Sequence, residues 1–174
     1  MRFISEIEAK AFFKKLGFQP QGLVPGSRAA TKLKTDHLFY QSGIVPYAKI
    51  ASLLTDTQGD FADCVVWPFD LVWGDRSQED NPPEAWETYA RWRRDHGEVL
   101  NLRERPGHVF SAGEQAELAR LLELALSMGW DTLVAARPAK MLFEFSHNDR
   151  ISLHSRSHDT DLLSALAKLG VKGS

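Results

Sequence analysis

Residues 131–156 read DTLVAARPAKMLFEFSHNDRISLHSR, and this stretch decides the fold. Met141, Phe143 and Phe145 alternate with Leu142, Glu144 and Ser146; beyond SHND, Ile151 and Leu153 alternate with Ser152 and His154. A period of two sends successive side chains to opposite sides of a sheet, so the pattern predicts a hairpin with one buried face. Its tip falls at His147, Asn148 and Asp149, because Asn and Asp tolerate left-handed backbone and bond to their own chain. DTLVAAR ahead of it is β-branched enough for a further strand. After the hairpin a terminal helix is expected from about Thr160, capped by Asp159, with Leu162, Leu163, Leu166 and Leu169 inward.

Working outward, Ser5 and Glu8 have capping-box spacing, which predicts a first helix closed by Gly17. Ile7, Ala11 and Phe12 form its expected buried stripe, with Lys10, Lys14 and Lys15 outside. The Pro and Gly density of 18–27 predicts loop. KLKTDHLFYQSG (32–43) reads as a strand running into a turn at Ser42-Gly43. VPYAKIASLLTDT (45–57) reads as a helix with Pro46 in its first turn and Ile50, Leu53 and Leu54 on its core face.

DCVVWPFDLVW (63–73) predicts a strand that Pro68, lacking an N–H, confines to an edge, a bulge or two short pieces. PEAWETYARWRRDHG (83–97) predicts a helix opened by proline and closed by glycine, with Trp86, Tyr89 and Ala90 on its core side. A second capping-box spacing, Ser111 and Glu114, opens the strongest helix. Leu118, Leu121, Leu122, Ala125 and Met128 recur there at helical intervals up to Gly129. The order α, β, α, β, α, α, β, β, α lacks the regular βαβ alternation of a doubly wound sheet. The expectation is one globular α+β domain over residues 1–174. Its helices pack on one face of a mainly antiparallel sheet, and a C-terminal β-hairpin is followed by a terminal helix.

Composition narrows the function. The chain has 174 residues, 43% hydrophobic and 25% charged, with a net charge of −2. A protein that grips phosphate backbones carries a basic excess, so nucleic acid is not the expected partner. Arg91, Arg93 and Arg94 beside Trp92 could contact phosphate and stack on a base. Neighbouring acids and the dipole of a helix C-terminus account for the same arginines. The single cysteine, Cys64, excludes an internal disulfide and reads as a buried, inert thiol within ADCVVW. No apolar run reaches the ~20 residues that span a bilayer, and MRFISEIEAKAFFKKLGF lacks the pattern of a secretory signal. A cytoplasmic protein without a membrane partner is expected.

Two clusters are candidate sites. Between 147 and 159 lie His147, Asp149, His154, His158 and Asp159. Histidines and carboxylates of this kind could serve a small hydrolase through His147, Asp149 and His154, or a metal through His154, His158 and Asp159. The hairpin geometry argues against convergence, since His147 sits at the tip and His154 and His158 toward the other end. No nucleophile elbow, phosphate-binding loop or dinucleotide fingerprint occurs, so no catalytic residue, metal or cofactor is assigned. The other cluster is electrostatic. Residues 1–55 carry +5 and residues 91–174 carry +1, whereas residues 56–90 hold nine acids against Arg76 alone, a net −8. Trp67, Phe69, Trp73 and Trp86 are interleaved with those acids. Aromatic anchors ringed by charge suit a protein interface, while the same pattern also describes a solvated loop beside core tryptophans. The expectation is a binding module presenting Asp70, Trp73, Asp75, Glu79 and Asp80 to a protein partner with a basic surface. An inhibitor or immunity-type protein is its most concrete form, with a small enzyme built on 147–159 as the alternative.

Overall fold

The computed structural model describes residues 1–19, 22–23, 32–70, 84–98, 104–138 and 141–173, with the side chains of 22–23 and 84–86 left aside. Its frame is an eight-stranded sheet of order β1-β6-β5-β7-β8-β9-β4-β10, in which every neighbouring pair is antiparallel. The strands are β1 (Arg2–Ile4), β4 (Lys34–Phe39), β5 (Asp63–Asp70), β6 (Gly107–Ser111), β7 (Asp131–Arg137), β8 (Met141–Ser146), β9 (Arg150–Ser155) and β10 (Lys172–Gly173). A separate small hairpin pairs β2 (Phe18–Gln19) with β3 (Gly22–Leu23), within the stretch expected to be loop.

Five helices accompany the sheet among the described residues: α1 (Glu6–Lys15), α2 (Tyr47–Gln58), α3 (Glu84–Asp95), α4 (Gln115–Ser127) and α5 (Thr160–Lys168). Four lie on one face. Ile50, Ala51 and Leu54 of α2, Tyr89 and Trp92 of α3, Leu118, Leu121, Leu122 and Ala125 of α4, and Leu162 and Leu166 of α5 share one core. That core includes Phe143, Phe145, Ile151 and Leu153 of the hairpin. The α+β architecture, the hairpin and the helix after it therefore stand as the periodicity requires.

The opposite face is not left to solvent. Ala9 and Phe13 of α1 join Phe18, Val65, Trp67, Leu133, Ala135 and Leu142 in a second core. All six residues of β8 are consequently buried, and only Arg150 of β9 is not. The expectation of one buried face is corrected to two: alternation of apolar with polar residues implies core against water, but here both sides are covered. The stripe expected for α1 is likewise corrected. Ile7 is 80% exposed and Ala11 is also exposed, whereas Ala9 and Phe13 point inward. Gly107 supplies the reason. A Cβ at this position would lie 2.9 Å from Ala9 Cβ and 2.9 Å from Ile4 Cγ1, so helix and strand approach closely and admit only small residues.

Pro68 resolves as a register irregularity. β5 lies inside the sheet, its pairing with β6 ends at Val66, and its ladder with β7 shifts between Pro68 and Asp70. The Ser5–Glu8 capping box forms with both reciprocal bonds, and Asp159 Oδ1 accepts from Leu162 N at 2.9 Å at the start of α5. Ser111 instead ends β6, and α4 begins after Glu114, whose Oε2 accepts from Ser111 N at 2.7 Å. Ser111 and Glu114 thus stabilise a strand-to-helix turn, a correction to the expected helix start.

Candidate functional site

The histidines of 147–159 separate along the hairpin, and each of the three acquires a carboxylate of its own. At the tip, His147 N donates to Asp131 Oδ1 at 2.7 Å, and His147 Nδ1 lies 3.1 Å from both oxygens of the same carboxylate. Asp149 adopts a left-handed φ of 55°, and its Oδ2 accepts from Ser42 N at 3.0 Å, closing the hairpin against the turn after β4. His158, past the far end of β9, sets Nδ1 2.7 Å from Asp36 Oδ1 of β4. Asp159 is occupied as a helix cap. Among the described residues, no three His, Cys, Asp or Glu side chains are grouped so as to hold a metal ion.

His154 behaves differently. It lies on the α1 side of the sheet, 4% exposed, with its ring edge against Phe18 at 4.7 Å between centroids. Nδ1 is 2.9 Å from Thr35 Oγ1, while Nε2 is 3.6 Å from Glu144 Oε2. In the adjacent row His37 Nδ1 sits 3.0 Å from Ser152 Oγ, and Ser152 is fully buried. Register explains the grouping: Thr35 pairs with His154, His37 with Ser152, and Glu144 with Ser152. The expected polar side of the hairpin is thus real, but it is a largely enclosed patch rather than a wet surface. Thr35 and His37 could have been placed there from the period of β4. Their pairing with β9, 119 residues away in the case of Thr35, could not.

A buried pair that sequence reasoning missed lies on the other face. Tyr89 Oη and His108 Nε2 are 2.9 Å apart, with Trp92 stacked on the imidazole at 5.7 Å. Burial, followed by the Arg93 guanidinium, pushes His108 down to about 3, so this ring is neutral at ordinary pH. Burial pushes the Tyr89 phenol upward, leaving it the donor. Trp92 itself is 6% exposed and donates Nε1 to Glu117 Oε2 at 2.8 Å, so it offers no open face for a nucleotide base. Cys64 is buried, and burial raises its thiol well above the usual range.

Of the acidic segment, Trp73, Asp75, Glu79 and Asp80 lie outside the described residues, as does the side chain of Trp86. Asp70 ends β5 and is exposed; Asp56, Asp60 and Glu87 are exposed as well. Asp63 is engaged by Arg137 from the neighbouring strand. Trp67 and Phe69 belong to the second core, and Trp67 Nε1 donates to Arg105 O at 3.1 Å. These two aromatic rings are therefore not surface anchors. No helix among the described residues is long and apolar enough to cross a membrane. Comparison with protein-family models, with curated proteins and with solved structures gives no match.

Proposed function

We propose that this chain is a cytoplasmic protein-binding module of the inhibitor or immunity type, which meets a basic protein partner through its acidic middle segment. The observation that carries the reading is the segregation of charge: −8 over residues 56–90, flanked by +5 and +1. Like charges concentrated in one segment repel one another and raise the free energy of the free protein. A cationic partner relieves that repulsion and is drawn in faster by the same field. The exposure of Asp56, Asp60, Asp70 and Glu87 is consistent with an acidic surface around this segment.

The test is charge reversal at Asp70, Asp75, Glu79 and Asp80 to Lys. Affinity capture from the native extract at low and high salt should yield a basic protein with the parent chain. That protein should be lost with the reversed chain and weakened by salt, because exposed charges are screened beyond about 8–10 Å at physiological ionic strength. A captured set that is unchanged by the four reversals would refute the reading.

A further inference from the structure

On the α1 side of β8 and β9, two oppositely charged side chains sit near each other without pairing. Glu144 lies directly across from Ser152, and Arg150 is two residues before Ser152 on β9. They are diagonal cross-strand neighbours, a relation that places backbones about 7–8 Å apart. Even so, among the described residues no ion pair joins them, and no hydrogen bond reaches the Glu144 carboxylate. Glu144 is 7% exposed, and its nearest charged or ionisable contact is His154 at 3.6 Å. Two nitrogens around it are unsatisfied. Arg150 Nε and His154 Nε2 are both buried without a hydrogen-bond partner.

Native proteins satisfy nearly all buried polar groups, so two orphaned nitrogens flanking a carboxylate on one small patch indicate a missing partner with matching chemistry. Their roles are complementary. Arg150 Nε–H, with the adjacent terminal N–H, is the side of a guanidinium that takes a carboxylate in a two-bond fork. An ammonium group seated here selects the tautomer in which His154 Nδ1–H donates to Thr35 Oγ1, which makes Nε2 an acceptor beside the acceptor Glu144. Two acceptors so placed suit one ammonium group. Ser152, held by His37, forms the floor between the two halves, and exposed His37 and half-buried Arg150 border the patch toward solvent.

We propose that this patch binds a small zwitterion, an amino acid whose carboxylate is taken by Arg150 and whose ammonium is taken by Glu144 and His154. The inference goes beyond the acidic-surface reading and does not depend on it.

Calorimetric and thermal-shift titration of the full chain with glycine, β-alanine and γ-aminobutyrate, at fixed ionic strength, tests the proposal and measures the span. At least one of the three should bind more tightly than either methylammonium or acetate alone. Glu144→Gln and Arg150→Gln should each weaken that binding by about tenfold or more, the loss of one charge-assisted contact. Glu144→Gln should leave the weak response to acetate in place, and Arg150→Gln the response to methylammonium. Should a variant fail to fold, the comparison of zwitterion with single-charge probes on the parent chain decides alone. Absence of binding by all three amino acids, single-charge probes that bind equally well, or binding that survives both substitutions would overturn the assignment.

Discussion

Substituting His108 by glutamine should change how stability depends on pH. The imidazole is 0% exposed, and its Nε2 lies 2.9 Å from Tyr89 Oη. Burial is the main reason that its pKa falls from 6.5 to about 3; Arg93 and His96 add to it, and the Val66 backbone opposes it. In the unfolded chain the ring recovers a pKa of about 6.5. Between those two values the unfolded chain binds a proton that the folded chain refuses, so folding is disfavoured as the pH drops. The slope approaches ~1.4 kcal/mol per pH unit, and the effect vanishes above the unfolded value, where both states hold a neutral ring. From pH 6.5 to pH 5 the loss is ~2 kcal/mol.

A glutamine in place of the imidazole would bind no proton and would still offer Tyr89 an acceptor. The margin by which the parent chain outlasts H108Q should therefore shrink by about 2 kcal/mol between pH 7 and pH 5, whatever its size at neutrality. Urea unfolding of both proteins at both pH values, followed by tryptophan fluorescence, gives the double difference, in which the other titrating groups cancel. A margin that stays constant would show that His108 is protonated or hydrated inside the fold, and the burial argument would be wrong.

Two further outcomes follow from packing and capping. Gly107→Ala drives a methyl group to within 2.9 Å of Ala9 Cβ and should cost about 1–3 kcal/mol. Ala9→Gly in the same chain should recover part of that loss, which denaturant titration of the single and double variants would reveal. Asp159→Ala removes the acceptor of the 2.9 Å bond from Leu162 N and should cost about 0.5–2 kcal/mol. Hydrogen exchange should then rise first in α5.

The sequence was most legible where structure is decided locally. The Ser5–Glu8 box, the Asp159 cap and the left-handed Asp149 at the hairpin tip each depend on residues within a turn of one another. Facing was harder. Ile7/Ala11 and Ala9/Phe13 each set an alanine and a large apolar residue one helical turn apart, so hydrophobicity does not choose between them. The contact with Gly107 selects the second, from about a hundred positions away. Trp67 was equally ambiguous, since an indole among acids reads as an anchor until α1 is found above it. The partners of the histidines were beyond reach for the same reason: Asp36, Thr35 and Tyr89 meet His158, His154 and His108 only through the order of strands and the packing of helices.

That order also constrains how the chain can be built on a ribosome. Among the described residues β1 pairs only with β6, and β4 is flanked by β9 and β10. Neither early strand can join the sheet until the second half of the polypeptide has emerged, so the nascent first third must wait with its strand edges open. A stop codon anywhere before β9 would leave β4 without either of its neighbours, and the shortened product would be a substrate for proteases and chaperones rather than a smaller working protein.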